Sequence, residues 1–214
     1  MNILAYDTET GGLEAGVHSL LTAYFCVLNP ETFEMIDELD LKVKPNNGKY
    51  NVTPKAMEIN GINLEEHDKV ALTYAEANKA LKAWLDKNKI KGKRNHYISL
   101  GQNVSFDIGF LKATILPEAD YKAAGIYYGQ LDTKAIVDFL KIIGIFPQTM
   151  QTSLGNIVDH LNLPKRKAHE AKDDVLMTVD VFKGLVDLFK ERKDSASSLK
   201  TKLILGSIEW KMKY

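Results

Sequence analysis

Two acidic side chains lie one residue apart near the start of the chain, in the stretch YDTETGGL at residues 6–13. Successive side chains of a β-strand point to opposite faces, so Asp7 and Glu9 would share one face of a strand. Two carboxylates held this close repel each other unless one is protonated or a cation lies between them. Their oxygens are ligands that hard ions such as Mg²⁺ or Mn²⁺ prefer. The pair indicates a metal site, although acidic pairs at strand ends are more often simply solvated.

A third carboxylate follows a predicted step from strand to helix. In GQNVSFDIGFL, residues 101–111, a strand ends near Asn103 and a helix begins at Ser105, which places Asp107 in the first helical turn. The positive end of the helix dipole favours an acid there, so this position alone does not indicate function. Asp107 becomes a candidate ligand through its combination with the other acids.

A histidine lies five residues before a fourth acid in KRKAHEAKDDVLMT, where His169 is followed by Asp174. If Asp174 faces the site from a helix start and His169 lies on the preceding loop, the imidazole can approach a water held on a cation. An unperturbed pKa of about 6.5 suits this imidazole to accept a proton near neutrality. The remaining histidines lack such acidic neighbours and are interpreted as ordinary surface or core residues: His18, His67, His96 and His160.

Apolar patterning predicts the elements that must position these residues. Continuous or alternating apolar runs predict strands at residues 1–6, 20–28, 33–43, 97–100 and 126–131. Apolar residues at helical spacing predict helices at 71–88, 105–115, 133–143, 153–161 and 173–192. Antiparallel strands followed by alternating helices and strands predict an α/β layered domain with a mixed β-sheet.

The length of 214 residues and the 45% apolar composition predict one domain with a substantial core. We expect this domain to span residues 1–194, with a hinge at Ser195–Ser198. Residues 195–214 form a basic and apolar tail that either folds back or docks a partner. Fold-back is favoured, because exposed apolar patches are uncommon on monomers.

The charge balance excludes a strong overall attraction to polyanions, because 28 Lys and Arg match 28 Asp and Glu. Nucleic-acid contacts would then depend on local basic clusters, of which Lys87–Arg94 and Lys165–Lys167 are candidates. Cys26 lies in an apolar run and is predicted to be a buried, inert thiol. No leader or membrane-spanning pattern is present, so we expect a soluble, cytoplasmic protein with no membrane partner.

In order, the motifs D-x-E, N-x-x-F-D and H-x-x-x-x-D resemble those of the DEDDh-type 3′-to-5′ exonucleases, the DnaQ-like family. The resemblance covers residues 1 to about 190 and includes the stretches KAMEINGI, QLDTKAI and SLGNIVDHLNLP. One variant of the family has Tyr four residues before the last Asp. Glu170 occupies that position here, so the His form matches.

The resemblance implies a ribonuclease-H-like mixed β-sheet flanked by helices, and two divalent ions, Mg²⁺ or Mn²⁺, bridging the scissile phosphate. It implies that Asp7, Glu9, Asp107 and Asp174 are metal ligands and that His169 is the general base. The residues that it places against the terminal nucleotide are Thr8, Thr10, Leu13, Ile62, Asn103 and Phe106. Burial statistics alone would assign the apolar members of this set to the core.

The leading hypothesis is an exonuclease that releases nucleoside monophosphates from single-stranded DNA 3′ ends, with DNA preferred over RNA. This activity is similar to that of the proofreading epsilon subunits, so a DNA polymerase is the expected partner. The alternatives are a 3′-to-5′ exoribonuclease on short RNA, a catalytically silent polymerase-docking module, and an internal-cutting nuclease of ribonuclease H or integrase type. The complete set of acids argues against the silent module, and His169 argues against the internal-cutting nuclease.

Overall fold

The computed structural model describes residues 1–93, 95–167 and 170–211, with side chains described as far as residue 192. The strands of this part of the chain are β1 (Asn2–Thr10), β2 (Leu20–Leu28), β3 (Met35–Lys44), β4 (Leu72–Thr73), β5 (Tyr97–Gly101) and β6 (Ile126–Asp132). They form one sheet in the order β4-β3-β2-β1-β5-β6. β2 pairs antiparallel with β1 and β3, whereas β5 pairs parallel with β1 and β6.

The described helices are α1 (Pro54–Asn60), α2 (Leu64–Val70), α3 (Tyr74–Lys87), α4 (Ser105–Ala113), α5 (Glu118–Ala123), α6 (Thr133–Ile142), α7 (Leu154–His160) and α8 (Ala171–Lys211). They lie on both faces of the sheet, and α6, α7 and α8 share a further apolar cluster. The predicted mixed sheet flanked by helices, as in ribonuclease-H-like proteins, is confirmed.

Different helices bury the two faces of β1. Leu4 and Tyr6 belong to a core cluster with side chains of α3 and α4. Ile3 and Ala5 pack against α8 on the opposite face. Because strand side chains alternate, even-numbered residues of β1 face α4 and odd-numbered residues face α8. This alternation determines which acidic side chains lie on the same face of the sheet.

β1 is longer than the predicted strand at residues 1–6, and both Asp7 and Glu9 lie within it. The partner strand β2 accounts for the difference, because it pairs with β1 in register from Ile3 as far as Thr10. The register shifts between Glu9 and Thr10, where β1 ends. Pairing with β2 thus keeps the polar end of β1 extended. Apolar patterning alone does not predict this segment as a strand.

Three short helices, α1, α2 and α5, were not predicted, because each buries at most one side chain and therefore shows no apolar stripe at helical spacing. The start of α1 does carry a local signal. The Thr53 side chain accepts a hydrogen bond from the Ala56 amide, and Pro54 occupies the first turn. This pairing of an N-cap threonine with proline is typical of helix starts.

α8 is longer than predicted, and its backbone remains helical through residues 195–198, where the sequence predicts a hinge. Serine and alanine do not break a helix as glycine and proline do, which is the physical reason for the difference. The division at residue 194 and the role of the tail stay predictions. Among the described residues, no helix combines the length and hydrophobicity needed to cross a membrane.

The prediction for Cys26 is confirmed. Its side chain is buried on the face of β2 that packs against α8. Burial raises the pKa of the thiol to about 12, with a further contribution from Glu38. A thiol with this pKa is almost entirely protonated at neutral pH, and therefore it is a poor nucleophile.

Candidate active site

Three carboxylates converge on the face of the sheet that packs against α8. Asp7 and Glu9 point to this face from β1, and Asp174 lies in the first turn of α8. One carboxylate oxygen from each residue lies within 4.8 Å of the others, and all three residues are half-buried. The packing of Val175 and Val179 against β1 holds α8 in this position. The structure therefore brings together three of the four predicted metal ligands.

Asp107 approaches from the opposite face of β1. It lies in the first turn of α4, is only 3% exposed, and accepts a hydrogen bond of 2.6 Å from the Thr8 hydroxyl. Thr8 is the even-numbered residue between Asp7 and Glu9, so its side chain faces α4. Asp107 is not part of the three-carboxylate group, but its charge lies close enough to raise the pKa of Asp7 and of Glu9.

Burial and mutual repulsion oppose the ionisation of these acids. The pKa of Asp7 is raised well above its usual range, first by burial and then by the charges of Asp107, Asp174 and Glu9. Burial, followed by the charges of Asp174 and Asp107, raises the pKa of Glu9 to about 7. Burial also raises the pKa of Asp107 to about 7, although the hydrogen bond from Thr8 opposes this shift. The site thus accumulates negative charge that a cation would stabilise.

The donor set fits a hard divalent cation. The converging ligand atoms of Asp7, Glu9 and Asp174 are all carboxylate oxygens, and Mg²⁺ and Mn²⁺ prefer oxygen ligands. The electrostatic cost of this cluster is a second observation in favour of a cation, because bound positive charge would reverse the shifts in the pKa values. The residues present are therefore compatible with the predicted metal.

An apolar cleft with a volume of about 520 Å³ opens beside Glu9. Four of the predicted substrate-binding residues line it: Thr8, Thr10, Leu13 and Phe106. Leu13 is 83% exposed at the surface of the cleft. Ile59 and His18 also line the cleft. Contacts of these residues with a substrate stay predictions.

The other two predicted substrate-binding residues lie elsewhere. Ile62 lines a second cleft of about 610 Å³ on the other side of Glu9. Asn103 is exposed and lines neither of these two clefts; it has a φ of 60°. Its amide donates a hydrogen bond to Asp132, whose carboxylate also caps the start of α6. The backbone amide of Asn103, through this hydrogen bond, therefore anchors the turn.

His169, the predicted general base, lies outside the described residues, and its role stays a prediction. The basic cluster at Lys165–Lys167 is described, and each member is engaged in an ion pair. Lys165 pairs with Asp159 and Arg166 with Asp180, each at 2.7 Å, and Lys167 pairs with Glu170. In the other predicted cluster, Lys87 pairs with Asp37 and Lys89 with Asp86. These pairs reduce the charge available for phosphates.

Two residues beside the acids, His18 and Asn60, were not predicted as site residues. His18, interpreted as ordinary, lines the apolar cleft and packs so closely on Gly12 that a Cβ there would lie 2.4 Å from its ring. Asn60 donates a hydrogen bond to the carbonyl of Thr10 and accepts one from the Ile62 amide. Asn60 therefore links α1 to the end of β1. The adjacent glycines at 11 and 12 were the available signal, since glycine pairs mark close approaches.

Thr8→Val is expected to lower turnover of nucleic acid about tenfold, because it removes the hydrogen bond that favours ionised Asp107. The pKa of Asp107 would rise further, and the acidic limb of the pH–rate profile would move to higher pH. The measurement is kcat against pH for the wild type, Thr8→Val and Thr8→Ser. Thr8→Ser retains the hydroxyl, so equal impairment of both variants would contradict this role.

Residues 4–182 match the RNase_T family model, described as exonuclease. Among solved structures, Escherichia coli exonuclease I in its zinc-bound complex with single-stranded DNA is 19% identical with a TM-score of 0.73, covering 89% of this chain and 41% of that one. The same enzyme with a dT13 oligonucleotide is 17% identical with a TM-score of 0.71, covering 91% of this chain and 43% of that one.

Exonuclease I from Methylocaldum szegediense is 18% identical with a TM-score of 0.68, and the match covers 86% of this chain and 40% of that one. The present chain thus spans less than half the length of these proteins. At such identities the solved structures show a shared fold, whereas the family model matches most of the chain. The chain therefore belongs to the exonuclease family, which confirms the resemblance of its three motifs to DEDDh-type 3′-to-5′ exonucleases.

Proposed function

We propose that this protein hydrolyses the terminal phosphodiester bond at single-stranded DNA 3′ ends and releases nucleoside monophosphates in a reaction that requires divalent cations. The convergence of Asp7, Glu9 and Asp174 beside an apolar cleft is the observation that carries this proposal. The acids suit phosphodiester hydrolysis, which must neutralise negative charge on the phosphate. The neighbouring cleft lies in the size range of small-ligand sites and has room for a terminal nucleotide.

In this proposal Asp7, Glu9 and Asp174 hold Mg²⁺ or Mn²⁺, and Asp107 supports the site from the other face of β1. Bound divalent ions supply charge neutralisation and a water of lowered pKa. His169 would accept the proton of the attacking water. The Thr8 hydroxyl, by donating to Asp107, helps to keep that carboxylate ionised.

The apolar cleft supports action at an end of the chain. Phe106, Leu13 and Ile59 offer apolar surfaces to a base or a sugar. His18 packs closely on Gly12, and both residues line this cleft. A terminal nucleotide can enter such a cleft, whereas an internal nucleotide needs an exit for the strand on both sides.

The preference for DNA over RNA is supported by the E. coli exonuclease I structures that contain dT13 or dA16. The second candidate substrate is short RNA, because the carboxylates and the apolar cleft would act on the phosphate and the base, which RNA and DNA share. We also propose that the protein proofreads newly made DNA in the cytoplasm with a DNA polymerase as its partner. We further propose that the chain is divided into an exonuclease domain at residues 1–194 and a tail at residues 195–214. The basic and apolar composition of the tail supports a partner-docking or fold-back role.

The test is degradation of a 5′-labelled single-stranded DNA oligomer with Mg²⁺, Mn²⁺ or EDTA, with a matched RNA oligomer and a circular single-stranded DNA in parallel. Stepwise shortening from the 3′ end of the linear DNA, in the presence of a cation alone, is expected. The circular substrate should remain intact, and the RNA should be degraded more slowly. Cleavage of the circle, or no cation-dependent product from either linear substrate, would contradict the proposed function.

A further inference from the structure

The second cleft, which is lined by Glu9 and Ile62, differs in chemistry from the apolar cleft. Both clefts share Glu9, Ile59 and Asn60, so they meet beside the carboxylates. The second cleft carries three lysines, whereas Lys55 is the lysine that lines the apolar cleft. The three are Lys42, Lys167 and Lys172. The same cleft is also lined by the carboxylates of Glu9, Asp40 and Glu170. A scissile phosphate at the acids would thus have an apolar surface on one side and a surface of mixed charge, with lysines, on the other.

Two of the three lysines are already engaged. Lys172 forms an ion pair of 3.1 Å with Glu38, and Lys167 pairs with Glu170. Lys42 is exposed, and within the described part of the chain it forms no ion pair. Asp40 lines the same cleft from the same strand, so the local charge is not uniformly positive. Lys42 is nevertheless the lysine of this cleft whose ammonium group has no carboxylate partner among the described residues.

The sheet places Lys42 in line with the catalytic acids. In the strand register Glu9 pairs with Thr22, and Thr22 pairs with Lys42. Leu41 and Val43 are buried on the face that packs against α3, so Lys42 points to the face that carries Glu9. Neighbouring strands lie about 4.8 Å apart, and Lys42 is therefore about 10 Å from Glu9 along the row. Lys42 lines the same cleft as Glu9 and Thr22.

We propose that the row Glu9–Thr22–Lys42 is the path of the DNA strand upstream of the scissile bond, and that Lys42 binds a backbone phosphate there. This inference rests on the proposed function and adds the direction in which the substrate leaves the site. Lysine acts on phosphate as a point charge without reading the base. The contact therefore favours single-stranded substrates of any sequence that extend beyond the terminal nucleotides.

The test compares Lys42→Ala with Lys79→Ala. Lys79 is an exposed lysine of α3 on the other face of the sheet, so its removal is a matched change in charge. Binding of 5′-fluorescein oligothymidylate is measured by anisotropy over a range of KCl concentrations. Lys42→Ala is expected to weaken binding about three- to tenfold and to reduce the slope of log K against log salt by about 0.7. Lys79→Ala should match the wild type.

Steady-state hydrolysis provides a second measurement. For Lys42→Ala the loss in kcat/KM should lie mainly in KM and should shrink when the long oligothymidylate is replaced by a dinucleotide. Oligodeoxyadenylate should show the same loss, because the contact is with phosphate. Equal salt slopes for the wild type and both variants, with normal hydrolysis by the wild type, would overturn the role of Lys42 alone. Absence of hydrolysis by the wild type would overturn the proposed function, and this inference with it.

Discussion

Asp7→Asn is expected to reduce release of nucleoside monophosphate from single-stranded DNA by about 1,000-fold or more. Asp7 is repelled by acids on both faces of β1, since the charges of Asp107, Asp174 and Glu9 all raise its pKa. The amide keeps the size of the side chain but removes a negative ligand from the three-carboxylate group. The measurement is kcat/KM with saturating Mn²⁺.

Asp86→Asn is the matched control for this variant. Asp86 is 64% exposed and pairs with Lys89 on the surface, so the same chemical change there should leave turnover near that of the wild type. In EDTA at pH 8, Asp7→Asn should also melt at a higher temperature than the wild type, because one repelling charge is gone. A lower melting temperature, or turnover within tenfold of the wild type, would contradict the position assigned to Asp7.

Removal of divalent cations is expected to make stability depend on pH between about 4.5 and about 7, the ordinary and folded-state pKa values of Glu9. A pKa raised by folding means that the folded state binds protons more tightly than the unfolded state does. The resulting stabilisation is fully present below pH 4.5 and is lost as the pH rises through 7. The expected loss is on the order of 2 to 3 kcal/mol, or roughly 5–10 °C in melting temperature.

Addition of Mn²⁺ should reverse this loss, because the cation binds the ionised carboxylates. The increase in melting temperature on adding Mn²⁺ should therefore be larger at pH 8 than at pH 5. Calorimetry of the wild type and Glu9→Gln, each in EDTA and in Mn²⁺, provides the measurement. Glu9→Gln should show a flatter pH dependence in EDTA. The cation site would be contradicted by a wild-type melting temperature that is insensitive to both pH and Mn²⁺.

The alternation of side chains along β1 determines which functional residues lie on each face of this strand. Alternation along a strand predicts that Asp7 and Glu9 share a face, and the structure places them so. The same rule directs Thr8 to Asp107, a pairing that the motifs do not predict. This pairing depends on the packing of α4 on the even-numbered face of β1, because Asp107 is 99 residues from Thr8 in the chain.

The clefts were less accessible to sequence reasoning than the acids. Their walls include α1, which buries no side chain and so shows no apolar pattern, and Asn60, which links α1 to the end of β1. The basic clusters in the sequence also did not predict which lysines lack an acidic partner among the described residues. The members of Lys165–Lys167 are consecutive yet pair with three different acids, whereas Lys42 is a single lysine in an alternating strand.

The sequence by itself determined the family, the mixed-sheet fold and the candidate acids. These depend on residue types at short, fixed spacings and on apolar periodicity, which are local properties of the chain. Only the tertiary structure decided that Asp107 lies behind Thr8 and accepts its hydrogen bond, and that Lys42 lies in line with Glu9. Strand register and helix packing join residues far apart in sequence, and neither is encoded at any single position.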